Sequence, residues 1–284
     1  MMNVAWIGTG VMGKPMALHL SKHGYNVNVF NRTFEKAKSM EPFVKACEDI
    51  KTCVSHADVV FSIVGYPNDV KDTYEEVMKY VKKGTILVDM TTSSPTLAKA
   101  LADKALSLGL TMLDAPVTGG DLGAINATLS IMVGGDQQSF DTVLPLLRCM
   151  GKTITYMGDS GNGQHAKLAN QTAIAGAIAG VAEALAYAQK NDLDQEKMLN
   201  VITGGSAQSW QATKNGPKMI TKDYAPCFYI KHFLKDLKLV LDEKKDLSLD
   251  VVQTVARVYE TLVSIGMHDF GTQAIIEYYL QKLS

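Results

Sequence analysis

Three short stretches of this sequence carry residues whose types and spacing could do chemistry. Gly8-Thr9-Gly10-Val11-Met12-Gly13 follows G-x-G-x-x-G. Between a strand and a helix, the first glycine of such a turn permits a tight bend. The second lets backbone N–H groups meet a pyrophosphate, and the third lets helix and strand pack closely. Lys167, Asn170 and Gln171 fall at i, i+3 and i+4 among Ala and Leu residues, on one helical face. A lysine held there beside a positively charged nicotinamide would have a depressed pKa and could exchange a proton with a substrate hydroxyl. The plainer reading is a surface lysine. Thr118-Gly119-Gly120 offers a hydroxyl and unhindered N–H groups, a neutral way to hold a carboxylate, and equally an ordinary turn. His165 reads as structural or exposed rather than as a base.

Eighteen positions beyond Gly13, near the roughly 20 at which NAD-binding chains place an acid for the ribose, stands Asn31-Arg32-Thr33. An acid would repel a 2′-phosphate, whereas Arg32 can pair with one and its polar neighbours can hydrogen-bond to it. Arginine is scarce, occurring only at Arg32, Arg148 and Arg257. NADP(H) is therefore expected over NAD(H), against the plainer reading that Arg32 solvates a strand end. Val64-Gly65-Tyr66-Pro67 and residues 89–95, including Thr92, close two further predicted strands, where ligands bind in open α/β sheets. Cys47, Cys53, Cys149 and Cys227 form no C-x-x-C pair and no pairing with His at zinc spacing. No metal site is expected, and reduced thiols in a cytoplasmic protein are the better reading.

These residues need elements to hold them. Residues 3–7, 26–30, 59–64, 85–89, 111–115 and 130–133 read as strands, and 11–23, 69–82 and 96–108 as helices. Such alternation predicts a doubly wound, mostly parallel α/β sheet of Rossmann type. From Gly163 onward the pattern is helical, with helices expected over 164–190, 233–245, 249–265 and 272–283. The domains expected are 1–161, binding NAD(P), and 162–284, all-helical, joined by a long helix. Gly176 and Gly180, about a turn apart on that helix, would let another helix approach closely. Trp210 reads either as a wall of the substrate cleft or as a buried anchor.

Composition bounds the rest. With 284 residues, 46% hydrophobic and 20% charged, the chain can bury a full core, which excludes disordered and collagen-like classes. The balance of 28 basic against 29 acidic residues gives no global field for nucleic acid or an anionic membrane. The apolar run 172–188 is built largely of Ala and Gly and interrupted by Glu183, so it reads as a buried helix rather than a span. The first residues show no basic leader or cleavage site.

Taken together, the chain resembles the β-hydroxyacid dehydrogenase family, which includes 3-hydroxyisobutyrate dehydrogenases and tartronate and succinic semialdehyde reductases. Four motifs carry the resemblance over nearly the whole chain: residues 8–17, 114–120, 161–171 and Lys235-Asp236-Leu237. The resemblance implies interconversion of a small 3-hydroxyacid and its semialdehyde, with Lys167 as general acid and base. It implies that Thr118, Gly119, Gly120 and Asn170 bind a carboxylate-bearing substrate. It further implies that Thr92 and Lys235 touch the nicotinamide end of the cofactor, and that the chain forms a homodimer or homotetramer through its helical part. Two departures stand out: Thr118 replaces a common Ser, and Gln171 a common Asn. 6-Phosphogluconate dehydrogenases share the plan but must grip a sugar phosphate, for which two remaining arginines are few. Imine reductases generally lack the lysine, and a non-catalytic dinucleotide-binding module would not need Lys167 with Asn170.

Overall fold

A computed structural model describes residues 2–281. The elements of the first part are β1 (Asn3–Ile7), α1 (Gly13–Lys22), β2 (Asn26–Phe30), α2 (Phe34–Lys38), β3 (Lys45–Cys47), α3 (Ile50–Val54), β4 (Val59–Ser62), α4 (Pro67–Val77), β5 (Ile86–Asp89), α5 (Pro95–Ser107) and β6 (Thr111–Asp114). There follow β7 (Val117–Thr118), α6 (Gly120–Ile125), β8 (Leu129–Val133), α7 (Gln137–Arg148), β9 (Gly151–Tyr156) and the long α8 (Asn162–Lys190). The second part adds α9 (Gln195–Gly204), α10 (Trp210–Lys214), α11 (Gly216–Thr221), α12 (Ile230–Glu243), α13 (Asp250–Ser264) and α14 (Ile275–Gln281). Two compact units result, Met1–Lys167 and Leu168–Ser284, and the boundary in the chain falls within α8. The helix expected over 272–283 begins as a 3₁₀ turn before α14, and its last two residues lie outside the described range.

In the first unit, six strands form one parallel sheet in the order β3-β2-β1-β4-β5-β6. Successive side chains of a strand point to opposite faces, and here both faces are apolar. Val4 and Trp6 of β1, with Val59 and Phe61 of β4, join a core with Met16, Ala17 and Leu20 of α1. Ala5, Ile7 and Val60 join a separate core with Val70, Tyr74 and Val77 of α4 and Leu101 and Ala105 of α5. Helices on both faces follow from strands that have no polar side to show water.

The strand expected over 130–133 does not extend this sheet. Only Ala115 and Pro116 separate β6 from β7, which carries on in the same direction: β8 returns antiparallel to both, in one register from Asp114–Gly134 to Thr118–Ser130. The chain instead starts a second sheet, β7-β8-β9, with β7 antiparallel and β9 parallel to β8. Asp114 and Gly134 exchange backbone hydrogen bonds of 3.1 and 2.8 Å, which ties this small sheet to the end of β6.

The second unit packs α8 residues Ala175, Ile178, Ala182 and Leu185 with Phe233, Leu237 and Val240 of α12 and Val255 and Tyr259 of α13. Phe233 and Tyr259 meet edge to face at 5.4 Å. Half of the most apolar window of α8 is buried inside the protein, as expected of a core helix.

The start of α8 is fastened to β6. The Asp114 carboxylate accepts the N–H groups of Gly161 and Gln164, each at 2.7 Å. Gly163 leaves no room for a side chain, since a Cβ there would sit 2.5 Å from the Asp114 carbonyl oxygen. A carboxylate at a helix N-terminus satisfies donors that the helix itself cannot. Asp114→Ala strands two buried N–H groups and should cost on the order of 3 kcal/mol, read as a lower urea midpoint at an unchanged slope.

Candidate active site

The glycine turn has the shape a diphosphate requires. Gly8 adopts φ +94°, and a Cβ on Gly13 would lie 2.0 Å from the Gly8 carbonyl oxygen and 2.8 Å from Ile63 Cγ2. Gly10 is different, because a Cβ there would meet nothing within 4 Å. Its glycine is not required by the packing and leaves space for an incoming group. Thr9 is 4% exposed, and its hydroxyl has no partner among the described residues. A buried hydroxyl aimed at nothing is costly unless a ligand or water satisfies it, so the turn fits a dinucleotide phosphate. Val11 is exposed and Met12 half-buried beside it.

β2 and β4 flank β1, so their ends border this turn. Asn31 braces the turn: its side-chain oxygen accepts from Thr9 N at 3.1 Å, and its amide donates one of its two N–H groups to the Thr33 carbonyl at 3.0 Å. The Arg32 side chain is 83% exposed and lies 3.1 Å from Asp69 Oδ1. The other Asp69 oxygen accepts the Tyr66 N–H at 2.9 Å, closing the first turn of α4. A Cβ on Gly65 would come within 2.8 Å of that oxygen. Thr33 precedes α2 in an extended conformation.

Behind these ends lies a buried polar chain. Val64 N donates to Thr91 Oγ1 at 3.0 Å, and Thr91 N to Asp89 Oδ1 at 3.1 Å. Ser62 Oγ lies 3.0 Å from Asp89 Oδ1 and 2.9 Å from Tyr74 Oη, so the phenol can donate to the serine and the serine to the carboxylate. Burial pushes the Asp89 carboxyl up to about 6 against these bonds, helped by the charge of Asp114. Burial also raises Asp114, while the N–H groups of Gly161 and Gln164 pull it back. Thr92 is half-buried on the loop above Asp89, and the neighbouring Ser93 hydroxyl is buried without a partner.

Lys167 is 5% exposed in the second turn of α8, in the same unit as the glycine turn. The surface reading of this lysine is thereby set aside. His165 faces solvent. Thr118 and Gly120 are half-buried, and Gly119 and Gly120 take φ +132° and +66° at the start of α6. A Cβ on Gly120 would meet nothing within 4 Å, so its backbone is open to approach. The far end of α6 is held by His19, whose Nε2 lies 3.0 Å from both the Ala124 and Ile125 carbonyl oxygens.

Asn170 and Lys235 belong to the second unit. There Asn170 donates to Gln171 Oε1 at 3.0 Å, and Gln171 donates to Asp236 Oδ2 at 2.7 Å. The Lys235 ammonium lies 3.1 Å from Asp236 Oδ1. Gln171 therefore links Asn170 to the Lys235-Asp236 pair. Trp210 is 55% exposed, which removes the buried-anchor reading.

Sequence reasoning assigned no role to Asp69, Asp89, Asp236 or Gln164. Asp89, Asp236 and Gln164 lay within motifs already noted, but the partners of Gln164 are 71 and 73 residues away, beyond any local pattern.

Residues 3–158 match the profile of the NAD binding domain of 6-phosphogluconate dehydrogenase. Residues 161–279 match that of the NAD-binding domain of NADP-dependent 3-hydroxyisobutyrate dehydrogenase. The chain belongs to the β-hydroxyacid dehydrogenase family. The uncharacterized oxidoreductase YkwC of Bacillus subtilis (strain 168) is 42% identical over 284 residues, covering 98% of this chain and 99% of that protein. The probable 3-hydroxyisobutyrate dehydrogenase-like 1, mitochondrial, of Arabidopsis thaliana is also 42% identical, over 96% of this chain and 84% of that one. A solved structure of Mycobacterium tuberculosis 3-hydroxyisobutyrate dehydrogenase with L-serine superposes with a TM-score of 0.90 at 30% identity, over 98% of each chain. The protein is thus an NAD(P)-dependent oxidoreductase of the hydroxyacid dehydrogenase type.

The second and third glycines of the turn should separate on mutation. Gly10→Ala should leave the melting temperature unchanged and weaken NADPH in a fluorescence titration. Gly13→Ala should destabilise the fold itself by about 1–3 kcal/mol or more through overpacking, seen in thermal denaturation without cofactor.

Proposed function

We propose that this dehydrogenase interconverts a small 3-hydroxyacid and its semialdehyde with NADP(H), and that Lys167 is the general acid and base. The observation that carries the reading is a lysine 5% exposed on a helix whose first turn is bonded to the carboxyl end of β6. An ammonium is rarely buried without a task. A nicotinamide held at this site would supply the hydride chemistry at the substrate's carbonyl or carbinol carbon. Lys167 Nζ gives a proton to the carbonyl oxygen in reduction and recovers it from the hydroxyl in oxidation. The Thr118 hydroxyl with the N–H groups of Gly119 and Gly120 holds the carboxylate, and the Asn170 amide, one helical turn from Lys167, orients the substrate. The glycine turn and the Thr9 hydroxyl take the diphosphate, and Thr92 lies toward the nicotinamide.

The preference for NADP(H) is supported by the end of β2, which carries Arg32 and no carboxylate. The exposed pair that Arg32 makes with Asp69 is worth at most about 1 kcal/mol, so a 2′-phosphate can displace it. The proposal extends to self-association through α8, where Ala173, Gly180 and Tyr187 are exposed and Gly180 has open space above it.

Lys167→Ala should lower turnover about a hundred- to ten-thousandfold while NADPH still binds, measured with a panel of semialdehydes and 3-hydroxyacids. Survival of turnover would remove the assigned role. Arg32→Asp should weaken NADPH about ten- to a hundredfold, the value of one charge-assisted phosphate contact of about 1.5–3 kcal/mol, and leave NADH nearly untouched. Equal losses for both cofactors would sink the NADP assignment.

A further inference from the structure

We propose that Gln164 is a positioning residue that locks the cofactor-side loop of β5 and the helix bearing Lys167 into one fixed relation, so that hydride and proton transfers stay in register. Its side chain is fully buried. Its Oε1 accepts the Ser93 N–H at 2.8 Å, and its Nε2 donates to the Thr91 carbonyl at 2.7 Å. Those two groups lie on either side of Thr92, so the amide grips the loop around the residue read as nearest the nicotinamide. The Gln164 backbone N–H is itself held by Asp114 at 2.7 Å. Thr91 is fixed independently by Val64 N and Asp89.

Lys167 follows Gln164 by three residues, about 4.5 Å along a rigid helix. A shift of the loop against the helix is therefore a shift of one reacting partner against the other, and about 1 Å of misplacement can cost roughly a hundredfold in rate. The bridge needs a donor and an acceptor on one planar group. Glutamate at this position keeps the acceptor for Ser93 N but turns an oxygen toward the Thr91 carbonyl. Methionine, similar in size, supplies neither.

This inference rests on the reading of Lys167 and Thr92 given above. The test measures the hydride step directly, as single-turnover decay of nicotinamide absorbance in the NADPH-loaded protein. The substrate is the semialdehyde that the wild-type protein turns over fastest, and a C4-deuterated NADPH control confirms that the observed step is hydride transfer. In Gln164→Met the step should slow about ten- to a hundredfold, with NADPH affinity within a few-fold of wild type, and Gln164→Glu should fall between. A purely structural bridge would lower the melting temperature but leave the rate in the bound complex unchanged. A rate within twofold of wild type in either variant that binds NADPH overturns the inference, and Gln164→Glu, which retains one bond, decides the matter should Gln164→Met not fold. Turnover surviving Lys167→Ala would instead remove the reading beneath it.

Discussion

The contact on which this molecule most depends is the Asp114 carboxylate at the N-terminus of α8. Burying a carboxylate is costly, and burial raises the pKa of this one. The cost is offset because the same oxygens receive N–H groups that the first turn of a helix cannot satisfy for itself. Two liabilities, a desolvated acid and a set of orphan donors, cancel. The geometric consequence is that the longest helix starts at a defined point on the edge of the parallel sheet, and Lys167 inherits that position.

The neighbouring groups extend the same logic. Asp89 closes β5 one strand away and is linked through Ser62 to Tyr74 on one side and through Thr91 to the Val64 N–H on the other. The ends of β4, β5 and β6 therefore contribute Ser62, Asp89 and Asp114 to a buried polar layer beneath the surface that ligands approach. Such a layer is favourable only when nearly every member is satisfied. The buried hydroxyls without a partner among the described residues, Thr9 and Ser93, lie on the turn and loop assigned to the cofactor. Vacant hydrogen-bonding capacity is thus concentrated where a dinucleotide would supply partners.

The second unit repeats the device with different residues. Gln171 spans from α8 to Asp236 on α12, and Asp236 also faces the Lys235 ammonium. The Gln171 amide is long enough to make this bridge while its oxygen receives the Asn170 side chain.

Local chemistry made much of this legible in the sequence alone. The glycine spacing after an apolar strand dictates a phosphate-binding turn, because only glycine leaves the backbone free to approach. Strands with no polar face required cover on both sides, so the doubly wound sheet followed from alternation. The placement of Lys167 three residues before Asn170 fixed their shared face through the helical period. Tertiary structure alone decided the rest. That 130–133 leaves the main sheet depends on β7 carrying on the line of β6 and pairing antiparallel with β8, which hydrophobic periodicity does not encode. That Asn31 braces the turn, that Arg32 rests on Asp69, and that Gln164 grips the loop around Thr92 are pairings between residues 22 to 73 positions apart. A buried hydrogen bond is specified by where two backbones pass each other in space, and a sequence records the groups available but not which of them meet.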